Sequence, residues 1–305
     1  MDPDARKWLD HLAAAKGASP HTLRAYGADL RSLAQHLGRR RPDRRLRDAT
    51  RRELRSWLAS LGSPGSRPAP ASLARRVATL RGFYAWLVVE GQLAQSPAAR
   101  IRPPRVPRRV PRILEVPEAA GVVENPPQQG VLALRNRALL ELVYSAGLRV
   151  GELVALDRGD VDADERLVRV RLGKGGKDRI VPFGPPAAAA LDALLRNLPP
   201  VGLDDTPALF RNHRGGRLGA RSARRIVKEA GRQAGVDGVH PHALRHACAT
   251  HMLSGGADLR AIQEQLGHES LATTERYTHV DPAHLLRVYR GAHPRARERS
   301  PESED

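Results

Sequence analysis

Six side chains in the second half of the chain have the types and the order needed to attack a phosphodiester without a metal: Arg149, Lys174, His242, Arg245, His268 and Tyr277. Arg149 lies in Gly147-Leu148-Arg149-Val150-Gly151-Glu152-Leu153, just past an expected helix end and between apolar residues that pack. Its planar fork can clamp two phosphate oxygens, which lysine does poorly. Glu152, three residues on, either orients that guanidinium or forms a plain salt bridge with it, and the local sequence favours neither. Lys174 stands in the turn Gly173-Lys174-Gly175-Gly176-Lys177-Asp178. That turn is no phosphate-binding P-loop, because a strand pattern follows where a Gly-Lys-Ser/Thr helix start is required. Alone, Lys174 reads as a solvated hairpin lysine; beside the other five it can reach toward a leaving oxygen.

His242 and Arg245 share a face at a helix start, where free backbone N–H groups favour an anion. The neighbouring His240, His246 and His251 invite a zinc reading. It fails, because Ala243 stands where a zinc protease needs Glu, and Cys248 is the only cysteine. In Leu266-Gly267-His268-Glu269-Ser270, Gly267 ends one helix, Ser270 caps the next, and His268 falls in the corner between them. Tyr277 lies about two turns further on. A phenol with a pKa near 10 is a poor nucleophile until a base or nearby cations stabilise its anion.

The elements that must hold these residues can be read from pattern. Residues 1 to about 96 form a bundle of short helices. Ser19-Pro20 is an N-cap followed by proline at the first helical position, and Leu23, Tyr26, Leu30, Leu33 and Leu37 recur at helical spacing. After Pro70 a second stripe runs through Leu73, Val77, Leu80, Tyr84, Leu87 and Val88, with Arg75 and Gly82 opposite it. There an arginine could meet a phosphate and a glycine permit close approach, although a solvated face explains Arg75 better. Residues 97–112 are a stiff proline-rich linker whose only charges are arginines, which fits a segment tracking a DNA backbone.

The second domain spans 113–292. Leu134 to Ala146 is an apolar helix ended by Gly147. Val161, Leu167–Leu172 and Arg179–Pro182 alternate as strands. Helices are expected from Pro185 to Tyr289, and residues 293–305 as a polar, disordered tail. The fold class is therefore mainly α with a small antiparallel sheet.

The chain has 305 residues, more than one compact domain usually holds, and its net charge of +18 makes a polyanion the expected partner. A codon bias toward Arg and Ala contributes but does not require such an excess of base over acid. No apolar run approaches the roughly 20 residues of a membrane span, no signal-peptide core follows Asp2 and Asp4, and the single cysteine allows no intrachain disulfide. A cytoplasmic location is the expectation.

Taken together, Gly-Leu-Arg-Val-Gly-Glu-Leu, Pro-His-Ala-Leu-Arg-His, Leu-Gly-His-Glu-Ser and Arg-Tyr-Thr-His-Val resemble the motifs of the tyrosine recombinases, the phage-integrase family. All six of the family's catalytic positions have a matching residue. Ser19–Tyr26 and Leu80–Tyr84 resemble the family's helical core-binding domain, and the ending Val288–Ala296 looks like the bacterial Xer members. Cys248 departs from the pattern, where an aromatic residue is common.

The resemblance implies a helical core-binding domain followed by a catalytic domain, and a 3′-phosphotyrosyl intermediate on Tyr277. Arg149, Arg245 and His268 would stabilise the phosphate, His242 would act as base and Lys174 as acid. No cofactor or metal is implied. The implied partners are double-stranded DNA, a related recombinase in a heterotetramer docked through the last helix, and a DNA translocase as regulator. The competing readings are a type IB topoisomerase, a phage or mobile-element integrase, and a non-catalytic DNA-binding protein on the same fold, which would have no need of Tyr277.

Overall fold

The computed structural model describes residues 1–39, 44–62, 68–105, 112–126, 130–171, 178–198, 207–267 and 282–296. The chain divides into two compact units, Met1–Arg109 and Val110–Asp305.

The first unit is built on α1 (Pro3–Lys16), α2 (Pro20–Gly38), α3 (Arg51–Ser60) and α4 (Pro70–Val89). Three of these begin with proline in the first turn, where its missing N–H is no loss. Ser19 Oγ accepts from Thr22 N at 3.1 Å. Thr50 and Glu53 cap α3 reciprocally, Thr50 N donating to Glu53 Oε2 at 2.8 Å. The apolar stripes meet in a core that includes Leu30, Leu33, Trp57, Leu80, Phe83 and Leu87. Tyr84 is buried there and donates to Leu46 O at 2.7 Å.

On the far side of α4, Arg75 is not the solvated residue its sequence suggests, and Gly82 leaves no open space. Arg75 is not free for a phosphate, because it pairs with the buried Asp29 carboxylate, which also accepts from Thr79 Oγ1 at 2.9 Å. The space at Gly82 is taken by Trp8, whose ring lies 3.1 Å from where a Cβ would stand. The start of the proline-rich segment is also packed, with Ala98 and Ile101 buried in this core.

The second unit contains α5 (Val116–Glu124), α6 (Val131–Ser145), α7 (Val150–Ala155), β1 (Val161–Asp162), β2 (Leu167–Val170), β3 (Arg179–Pro182), α8 (Pro185–Arg196), α9 (Ala220–Gln233), α10 (Pro241–Ser254), α11 (Leu259–Leu266) and α12 (Pro282–Ala292). The sheet is antiparallel in the order β1-β2-β3, with Val168 opposite Val181. Val168, Val170 and Val181 point into the core. Helix α6 is buried along most of its length, and its buried Arg135 and Glu141 are hydrogen-bonded there, to Arg211 O and by Arg295. Its neighbours include α5, α8 and α10.

The stretch expected to be helical throughout is interrupted at 207–219, where Asp157 bridges Ala208 and Arg211 bridges Arg217 around a turn at Gly215. Residues 293–296, expected in the disordered tail, are instead folded, with a turn of 3-10 helix at Pro294–Ala296. His293 and Arg295 are buried, because Arg295 donates to Glu124 and Glu141, each at 2.8 Å. Helix α12 packs within its own unit against β3 and α10, burying Leu285 and Tyr289.

Candidate active site

Arg149 owes its place to a turn. Helix α6 ends at Ser145, and Gly147 takes a left-handed φ of +64°, which turns the chain into α7. Arg149 is the N-cap of α7. Glu152 answers both readings of the sequence, because it is a salt-bridge partner and also an orienting group. Its Oε2 accepts from Arg149 N at 2.8 Å, and its Oε1 accepts from Arg149 Nη1 at 2.8 Å. Arg149 Nη2 donates to Gly267 O at 2.8 Å, and the side chain keeps 38% of its surface exposed.

Arg245 sits one turn into α10 and is buried. Its Nη1 donates to Gly147 O, and its Nη2 to Leu266 O at 2.6 Å. Burial and then the Arg149 charge push its pKa down to about 10, against the pull of Glu152. It remains a cation at neutral pH.

His242 projects from the first turn of α10 and is exposed. Desolvation first, then the neighbouring His240, Arg245 and His246, lower its pKa from the usual value. A neutral imidazole is the form that can take a proton. The His240 and His242 rings lie parallel, with centroids 6.3 Å apart. His240 itself is structural, its Nδ1 accepting from Ala243 N at 3.0 Å to cap the helix.

Sequence reasoning missed Arg179, at the start of β3. Its Nη1 and Nη2 donate to Glu152 Oε1 and Oε2 at 3.0 and 2.8 Å, and its Nε donates to Gln265 O at 3.4 Å. In the sequence it is one polar residue of an alternating strand, and no local motif sets it apart.

Three consecutive carbonyls, those of Gln265, Leu266 and Gly267, thus take one N–H each from Arg179, Arg245 and Arg149. They lie at the C-terminus of α11, where carbonyls lack helical partners and the helix dipole is negative. That helix end is what gathers the arginines. Burial raises the Glu152 pKa, but the bonds and charges of Arg179 and Arg149 outweigh it and hold the carboxyl below its usual range. Lys174, His268 and Tyr277 lie outside the described residues, His268 being the next residue in the chain after Gly267.

A second basic feature belongs to the first unit. Arg51, Arg55, Arg81, Arg100 and Arg102 line a concavity of about 1010 Å³ with no acidic residue among its lining.

The Phage integrase family model matches residues 109–284, and the phage integrase N-terminal SAM-like domain matches residues 5–91. Tyrosine recombinase XerC of Mycobacterium leprae (strain TN) is 47% identical over 294 residues, covering 94% of this chain and 97% of that protein. Tyrosine recombinase XerC of Myxococcus xanthus is 43% identical over 302 residues, covering 97% of this chain and 99% of that protein. Residues 75–356 of lambda integrase, solved as a dimer bound to a COC' core site, align with a TM-score of 0.64 at 20% identity over 92% of this chain and 100% of that chain. That last likeness is one of fold.

Proposed function

The chain belongs to the phage integrase family and is a tyrosine recombinase similar to XerC, and from that premise we propose how its residues divide the work and which event they serve. Tyr277 attacks the scissile phosphorus of a duplex DNA strand, and its phenolic proton passes to His242. The bond to the 5′ oxygen breaks, that oxygen leaves with a proton from Lys174, and a 3′-phosphotyrosyl ester remains. Arg149 and Arg245, with His268, hold the non-bridging oxygens as charge builds on them. The ester keeps the energy of the broken bond, so the 5′-hydroxyl of a second duplex reverses the step without ATP, and strands are exchanged.

The observation that carries this reading is the pair of guanidiniums from α7 and α10 anchored to one helix end, with His242 one turn before Arg245 on the same helix. The event we assign is resolution of chromosome dimers before cell division. The chain would act with a XerD-like partner in a heterotetramer under control of a DNA translocase.

The test is covalent trapping. A nicked suicide duplex carrying a Xer-type chromosomal site, incubated with the chain and a partner recombinase, is expected to become attached to the protein. The Tyr277→Phe chain should give no adduct; if it still does, another residue is the nucleophile.

A further inference from the structure

We propose that Arg179, outside the set of six, is a positioning residue that balances the charge of Glu152, so that Glu152 can orient Arg149 without cancelling the charge Arg149 brings to the phosphate. The proposal rests on reading the site as a phosphate cage.

Glu152 is nearly buried, with 10% of its side chain exposed, and a carboxylate there needs a cation. With Arg149 as its sole partner, the two would form a neutral pair. The geometry instead gives Glu152 two cations with different duties. Arg179 is the fork–fork partner, supplying one side-chain N–H to each carboxylate oxygen, at 3.0 and 2.8 Å. Arg149 supplies a single side-chain N–H and one backbone N–H. Arg179 is also the more enclosed of the two, with 15% of its side chain exposed against 38% for Arg149. The cation that neutralises Glu152 is therefore the hidden one, and the open one is left to a ligand.

Gly267 makes room for this arrangement. A Cβ at that position would stand 3.0 Å from the Arg179 guanidinium. With Arg245, the cluster holds three guanidiniums against one carboxylate, a surplus of two positive charges. A phosphodiester enters with one negative charge and passes through a pentavalent state with two. The surplus matches the second, and removing Arg179 would halve it.

The experiment measures single-turnover adduct formation at saturating protein on two suicide duplexes. One is an ordinary phosphodiester; the other carries a methylphosphonate at the scissile position, which removes one negative charge throughout the reaction. Arg179→Met should slow adduct formation on the phosphodiester by about 10- to 100-fold, by analogy with the loss of a residue that orients a metal ligand. On the methylphosphonate the deficit should shrink sharply, as it should for Arg149→Ala run alongside. A wild-type rate for Arg179→Met on the phosphodiester, or an equal deficit on both duplexes, overturns the proposal and leaves the recombinase reading intact. No adduct from wild type on either duplex sinks both. Should Arg179→Met fail to melt cooperatively, the double variant Glu152→Gln/Arg179→Met decides, because it restores the surplus of two charges. Adduct formation near wild type supports the balance, and its absence from a natively melting double variant refutes it.

Discussion

His242 shows how much of a residue's role comes from its neighbours. Desolvation first, and then His240, Arg245 and His246 beside it, lower its pKa below the ordinary imidazole value. Protonation removes a general base, so cleavage must fall as pH falls. Because desolvation, and then the neighbours, resist that protonation, the fall comes at lower pH than an isolated imidazole would give. Adduct formation is therefore expected to be flat through neutrality and to drop only on acidification below about 6.5. In His242→Gln the rate should be lower and that acid limb absent. An unchanged acid limb in the variant would assign the base elsewhere. At this scale the sequence was informative about residues that sit in motifs. Arg149 and Arg245 stand out in their motifs, and the structure gathers these two at one helix end. Arg179 was not legible, because its partners Glu152 and Gln265 are 27 and 86 residues away and no spacing rule connects them.

Helices announced themselves through caps and stripes, and the turns between them set the site. Gly147 was readable as a helix terminator; that its turn also presents a carbonyl to Arg245 was not. Replacing it with Ala is expected to be severe for two separable reasons. A left-handed φ of +64° costs an L-residue about 1–2 kcal/mol. The added Cβ would also stand 2.7 Å from Leu266 Cδ2 and 3.2 Å from Cys248 Sγ, an overpacking that costs about another 1–3 kcal/mol. Thermal melting of Gly147→Ala should show a clear loss of stability, and a wild-type midpoint would mean the turn is not held as described. Other element-scale readings failed where long-range partners decide. Arg75 read best as a solvated face until Asp29 came to meet it, and the close approach that Gly82 could permit is taken by Trp8. Residues 293–296 read as part of a disordered tail because their polar composition conceals that Glu124 and Glu141 wait for Arg295.

Across the whole molecule the dominant quantity is charge, and composition made it legible at once. The net charge is +18, and in the first unit Arg51, Arg55, Arg81, Arg100 and Arg102 share a concavity with no acidic residue in its lining. Close like charges repel one another unless an anion lies between them, and a DNA backbone supplies one phosphate after another. Binding of this kind releases condensed counterions, so the logarithm of affinity falls linearly with the logarithm of salt concentration, by about 0.9 for each phosphate neutralised on duplex DNA. The full chain should show that steep decline on duplexes of any sequence. Arg51→Gln/Arg55→Gln should flatten the slope by up to about 1.8, two contacts' worth, while weakening specific and non-specific duplexes alike, since phosphate contacts carry no base information. Fluorescence anisotropy titrations from low to moderate salt read both quantities. A slope unchanged by the double substitution would mean that this concavity does not hold the backbone, and that the surplus charge meets DNA elsewhere, the exposed arginines of α9 being the next surface to test.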